Sequence, residues 1–155
     1  MPAAPRRRPL GFSLLELMVV VMLVALATAL TTLSMRDASQ NKLEEEGARL
    51  SALLETARTQ SRIIGTEVRW APVTDGTSFQ FLGLPARAAA ELPTKWLDES
   101  TRAEIVGEPQ LLLGPEPLLP AQRVVLHLGD RDLAVGTDGL APFQIIDSAT
   151  GAPAQ

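Results

Sequence analysis

Nineteen consecutive residues, from Leu17 to Met35, carry no charge. As a helix rising about 1.5 Å per residue, the run would reach roughly 28 Å, close to the thickness of a bilayer's hydrocarbon layer. Arg6, Arg7 and Arg8 stand just before it, and no acid occurs until Glu16. The positive-inside tendency then places Met1 in the cytoplasm and everything after Met35 on the far side. Three readings fit: a cleaved secretory signal, with Ala25 to Ala29 imitating a small-residue cleavage site; an uncleaved anchor; or a more specialised N-terminus.

Two residues favour the specialised reading. Gly11 lies between the basic leader and the apolar block rather than after it, and Glu16 follows five residues later. A carboxylate in apolar surroundings is costly and calls for a partner, and neither Phe12 to Leu15 nor Leu17 to Val21 supplies one. The run from Gly11 to Val20, Gly-Phe-Ser-Leu-Leu-Glu-Leu-Met-Val-Val, resembles the class III signal shared by type IV pilins and type II secretion pseudopilins. That resemblance implies cleavage between Gly11 and Phe12 by a prepilin peptidase and methylation of the new amino group of Phe12. It also implies that Glu16 sets axial register by facing the N-terminal amine of a neighbouring subunit. A buried ion pair suits registry better than stability.

At 155 residues the chain has room for one compact domain plus a non-globular segment. Without cysteine there is neither a disulfide framework nor a thiolate metal site, and with His127 alone no multi-histidine site can form. Residues 1–11 hold three arginines and no acid, so their removal takes the formal charge from −4 to −7, termini aside. That acidity opposes general binding to a phosphate backbone, so no nucleic-acid partner is expected. No P-loop, dinucleotide glycine pattern, nucleophile elbow or zinc motif occurs; neither an enzyme nor a cofactor is expected.

After Met35 the charge density rises while the helical pattern continues. Leu43, Leu50, Leu53, Leu54, Ala57 and Ile64 share one face, which is expected to cover a sheet. Glu44, Glu45 and Glu46 read as a solvated acidic run. Gly65 reads as the helix stop. Beyond it the signals are short and β-like. Val68–Ala71 and Ser78–Leu84 flank a turn at Thr74–Thr77, and a proline-rich stretch from 85 to 121 is read as irregular, with short strands near Ala103–Val106 and Leu111–Leu113. Val124–Leu128, Leu133–Val135 and Phe143–Asp147 follow, separated by turns at Asp130–Asp132 and Asp138–Gly139.

The expected architecture is α+β, a long N-terminal helix packed on an antiparallel sheet, in agreement with the build of the pilin family. Its parts are a leader (1–11), a transmembrane or filament-core helix (12–35), an amphipathic continuation (36–65) and a β-rich part (66–155). The segments Ala48–Arg58, Gly65–Trp70 and Val135–Phe143 resemble minor pseudopilin H of type II secretion. This resemblance implies a subunit that starts in the bacterial inner membrane with its globular part in the periplasm and then joins the pseudopilus. Its partners would be prepilin peptidase, the other pseudopilins and the inner-membrane secretion platform.

Leu14, Leu17, Val20, Leu23, Leu26 and Leu30 would pack against neighbouring helices. Trp96, set among prolines, is the candidate contact residue of the globular part. His127 reads as a structural strand residue, and Asp130, Asp132 and Asp138 as turn residues rather than calcium ligands. The rival reading is a minor type IV pilin that captures DNA. Its basic candidates, Arg87, Lys95, Arg102, Arg123 and Arg131, are dispersed among acids.

Overall fold

The apolar run and its continuation form one helix, α1 (Leu14–Ile64), in a computed structural model that describes residues 13–146, without the side chains of residues 29–37. The absence of proline across this stretch leaves the backbone ladder uninterrupted. Gly65, at φ +64°, stops the helix in the left-handed conformation that suits glycine. By compactness the chain divides into two units, one ending at Asp37 and the other starting at Ala38.

In the second unit, α1 presents Leu43, Leu50, Leu54 and Ala57, all fully buried, at spacings of seven, four and three. They join Val68, Trp70, Phe79, Leu111, Leu113, Val124, Leu126, Val135 and Phe143 in one core. Each buried leucine contributes about 1.5–3 kcal/mol relative to exposure, so this stripe is what docks the helix.

The strands form two antiparallel sheets rather than the single sheet expected. β1 (Arg69–Pro72) lies between β2 (Phe79–Leu82) and β4 (Leu111–Leu112). The other sheet has the order β3 (Arg102–Ile105), β5 (Gln122–Leu128), β6 (Arg131–Thr137), β7 (Gln144–Ile146). Gln122 joins the two: its side-chain amide accepts from Leu112 N at 2.6 Å and donates to Leu112 O at 2.9 Å. A strand-end amide thereby does for β4 what a neighbouring backbone would do.

Two local expectations change. The proline-rich stretch read as irregular contains a short helix, α2 (Ala86–Glu91), which starts after Pro85 on an alanine-rich run that favours helix. The β5–β6 turn is Gly129-Asp130 rather than Asp130–Asp132, because Leu128 pairs with Arg131 and Asp132 already belongs to β6, opposite His127. The C-terminal strand ends at Ile146; its expected last residue, Asp147, and the tail 148–155 lie outside the described residues.

Candidate functional site

α1 begins at a serine cap. Ser13 Oγ accepts from Glu16 N at 3.2 Å, and Ser13 O accepts from Leu17 N at 3.2 Å. Ser13 and Glu16 have the spacing of a capping box, in which a serine side chain satisfies an orphan amide at the helix start. Glu16 thus stands in the first turn, where the helix dipole favours a negative charge. Its carboxylate meets no partner among the described residues.

Around this end the apolar side chains are uncovered on every side. Leu14, Leu15, Leu17 to Val24 and Leu26 are all exposed, from 47% at Val20 to 78% at Leu14. Of the residues expected to pack in a filament, Leu14, Leu17, Val20, Leu23 and Leu26 fall in this group. Leu30 lies among the residues whose side chains are not described, and Gly11 and Phe12 lie outside the described residues. Among the described residues no helix is long and apolar enough to cross a membrane. The uncharged run from Leu17 to Met35 itself continues beyond residue 28 into the stretch 29–37.

In the second unit, α1 carries polar clasps between its buried leucines. Glu46, expected on a solvated face, is only 2% exposed. Its Oε1 accepts from Arg49 Nη1 at 2.6 Å and its Oε2 from Leu97 N at 2.6 Å. Lys42 Nζ meets Asp98 Oδ2 at 2.9 Å, and Arg49 Nη2 donates to Lys95 O at 3.1 Å. That ammonium, followed by the Ser100 amide, holds the Asp98 carboxyl below its ordinary range. Further along, Glu55 Oε1 accepts from Phe143 N at 2.9 Å, and buried Arg58 reaches Pro117 O and Gly139 O at 3.4 and 3.5 Å.

These clasps correct the expectation for Trp96. Glu46, Lys42 and Arg49 fix residues 95–98, and Trp96 turns inward to 6% exposure. Its ring centroid lies 4.5 Å from that of Phe79 and 6.4 Å from that of Trp70, and its Nε1 donates to Gly76 O at 2.8 Å. The indole is spent on the interior of this chain and offers no surface anchor. Neighbouring prolines indicate a loop; they carry no information on which way its aromatic residue points.

His127 Nδ1 lies 2.6 Å from Asp132 Oδ1 across the β5–β6 ladder. Asp138 accepts from Leu140 N and Ala141 N at 2.9 and 2.8 Å, and the Ala141 and Leu140 amides draw its carboxyl below the ordinary value. Gly139, in the turn that Asp138 supports, has φ +95°, and a Cβ there would overlap Leu119 O. Among the described residues no cluster of three or more histidine, aspartate or glutamate side chains could hold a metal ion.

The prokaryotic N-terminal methylation motif matches residues 6–32, which covers the three arginines, Gly11, Phe12, Glu16 and the exposed apolar stretch Leu14–Leu26. No curated protein sequence matches the chain. In fold, it is similar to the crystal structure of the type IV minor pilin FimU of Pseudomonas aeruginosa strain PAO1, with a TM-score of 0.51. Sequence identity is 13%, and the match covers 78% of this chain and 97% of that one. The chain therefore joins an N-terminal methylation motif to a type IV pilin-like fold.

Proposed function

We propose that the chain is a minor pseudopilin, a structural subunit of the type II secretion pseudopilus needed for the export of folded proteins across the outer membrane. Prepilin peptidase cuts between Gly11 and Phe12, Phe12 is methylated, and α1 holds the subunit first in the inner membrane and then among its neighbours. The observation that carries this reading is the exposed apolar stretch Leu14–Leu26 next to a Glu16 carboxylate that meets no partner among the described residues. At about 25 cal/mol per Å² of apolar surface, removing so many leucine, valine and methionine side chains from water recovers on the order of 10 kcal/mol. Lipid before assembly and neighbouring helices afterwards supply that cover. Glu16 then requires a cation, and the methylated amine of a neighbouring Phe12 is the one the motif provides.

Arg6, Arg7 and Arg8 support a cytoplasmic N-terminus and a periplasmic globular part. The chain works through surfaces rather than turnover, with prepilin peptidase, the inner-membrane platform and other pseudopilins as partners. A second reading, a minor type IV pilin, is favoured by the likeness to FimU.

Intact mass of the protein from cells with and without active prepilin peptidase tests processing. A species beginning at methyl-Phe12 is expected only with the active peptidase; an intact Met1 chain or a cut near Ala29 would sink both readings. Deleting the gene separates them: loss of exoprotein secretion with normal pilus-driven motility supports the pseudopilin, and the reverse supports the pilin. Glu16→Ala should still be cleaved but should abolish secretion at native expression.

A further inference from the structure

Among the described residues β3 is an outer strand of its sheet, paired with β5 on one side only. Val106 N donates to Arg123 O at 3.0 Å, which fixes the phase of this ladder. With Glu104 opposite Val125 and Arg102 opposite His127, the backbone groups of Arg102, Glu104 and Val106 point toward β5. Those of Ala103 and Ile105 point away. At Ala103 the edge is covered by the Thr74–Gly76 turn, packed so closely that a Cβ on Gly76 would lie 3.1 Å from Ala103 O. The cover ends before Ile105, whose outward N–H and C=O meet no partner among the described residues. A groove of about 410 Å³ opens there, with Pro72, Val73, Ile105, Glu108 and Pro109 among its lining residues.

The rim of the groove is acidic. Asp75, Glu104 and Glu108 line it, and Thr77 donates to Asp75 from both its hydroxyl and its amide, drawing that carboxyl below its ordinary range. Arg102 also lines it, but its Nη1 is committed to Glu99 O and Thr101 O at 2.7 and 2.8 Å. His127 faces Asp132. Three carboxylates therefore stand against one guanidinium, whose Nη1 is held by backbone carbonyls.

We propose that this groove takes an extended segment of a partner polypeptide bearing lysine or arginine, which adds a strand to the free edge of β3 at Ile105 while its basic side chains meet Glu104 and Glu108. Backbone pairing supplies the attachment and alternate side chains the selectivity, as in other strand additions to a sheet edge. The chain's own residues 147–155 make a poor occupant, because they carry one acid and no base. The inference stands on the groove alone and does not depend on the filament reading: failed processing at Gly11 would leave it untouched.

The test uses the full chain in detergent micelles and a fluorescein-labelled peptide, Thr-Val-Lys-Val-Lys-Val-Thr, followed by anisotropy. Saturable binding is expected. It should weaken at least tenfold when alternate backbone nitrogens of the peptide are methylated, when its lysines become glutamates, and when the protein carries Glu104→Lys with Glu108→Lys. Both glutamates are exposed, and the variant's circular dichroism should match that of the unaltered chain. Absence of saturable binding, or binding indifferent to backbone methylation or to charge, overturns the proposal. Deleting residues 148–155 should leave the affinity unchanged; a tenfold gain would identify the tail as the occupant and overturn it as well.

Discussion

Between Leu14 and Leu26 every large apolar side chain of α1 is exposed, whereas between Leu43 and Ala57 the same helix buries four apolar side chains completely. The two stretches also treat acids differently. Glu16 has its amide capped and its carboxylate unpartnered among the described residues, while Glu46 is buried with two hydrogen bonds to its carboxylate. One stretch is left uncovered by the described residues, and the other is finished by the chain's own strands and loops. Substitutions should therefore separate into those that impair assembly and those that impair folding.

The largest contrast is between equivalent truncations. Leu50→Ala should destabilise the globular part by about 2–5 kcal/mol in denaturant unfolding, because it empties a fully buried site. Leu17→Ala should leave the same midpoint within about 0.5 kcal/mol and instead lower recovery of the subunit in assembled filaments. Equal effects of the two on unfolding would break the comparison.

Next in size is Glu46→Ala, expected to cost about 1–3 kcal/mol because the Leu97 amide loses its acceptor and Arg49 its carboxylate. Tryptophan fluorescence should report it, since the segment carrying Trp96 loses one of its clasps and keeps those of Lys42 and Arg49. At the other end of the helix, Ser13→Ala should cost about 1 kcal/mol. It should speed amide exchange at Glu16 and Leu17 in micelles while leaving the exchange of core strands unchanged.

The smallest expected effect concerns acid. Asp75, Asp98 and Asp138 each have a carboxyl held below the ordinary 3.8 in the folded chain. Their contribution is fully present above that value and is lost as pH falls through the lowered folded values, so stability should decline below about pH 4. Asp138→Asn should flatten that decline by removing the carboxylate's contribution, so that its urea midpoint lies below that of the unaltered chain near neutrality and converges with it in acid.

How much was legible in the sequence follows the same division. The buried stripe Leu43, Leu50, Leu54 and Ala57 was readable because helical periodicity is local, and the antiparallel pairing of β1 with β2 and of β5 with β6 was readable from alternation around turns. The burial of Glu46 was not, because its partner amide at Leu97 is 51 residues away. Nor was the inward turn of Trp96, which follows from Glu46, nor the second sheet, which depends on Leu111 and Leu112 meeting Arg69 and Trp70. α2 left a trace, proline followed by an alanine-rich run, that the surrounding prolines obscured. For the exposed helix, the motif itself was legible, and the Ser13-to-Glu16 spacing that caps it was there to be read as well.

The clasps on the second half of α1 bear on how this chain would carry load. Glu46 holds Leu97, Arg49 holds Lys95, and Glu55 holds Phe143, so two separate segments of the globular part are tied by three bonds to one helix. A pull along α1 would be shared among bonds acting in parallel rather than passed from one to the next. Such an arrangement gives way only when several attachments break together, which makes the helix a handle by which the folded part can be lifted without being unravelled.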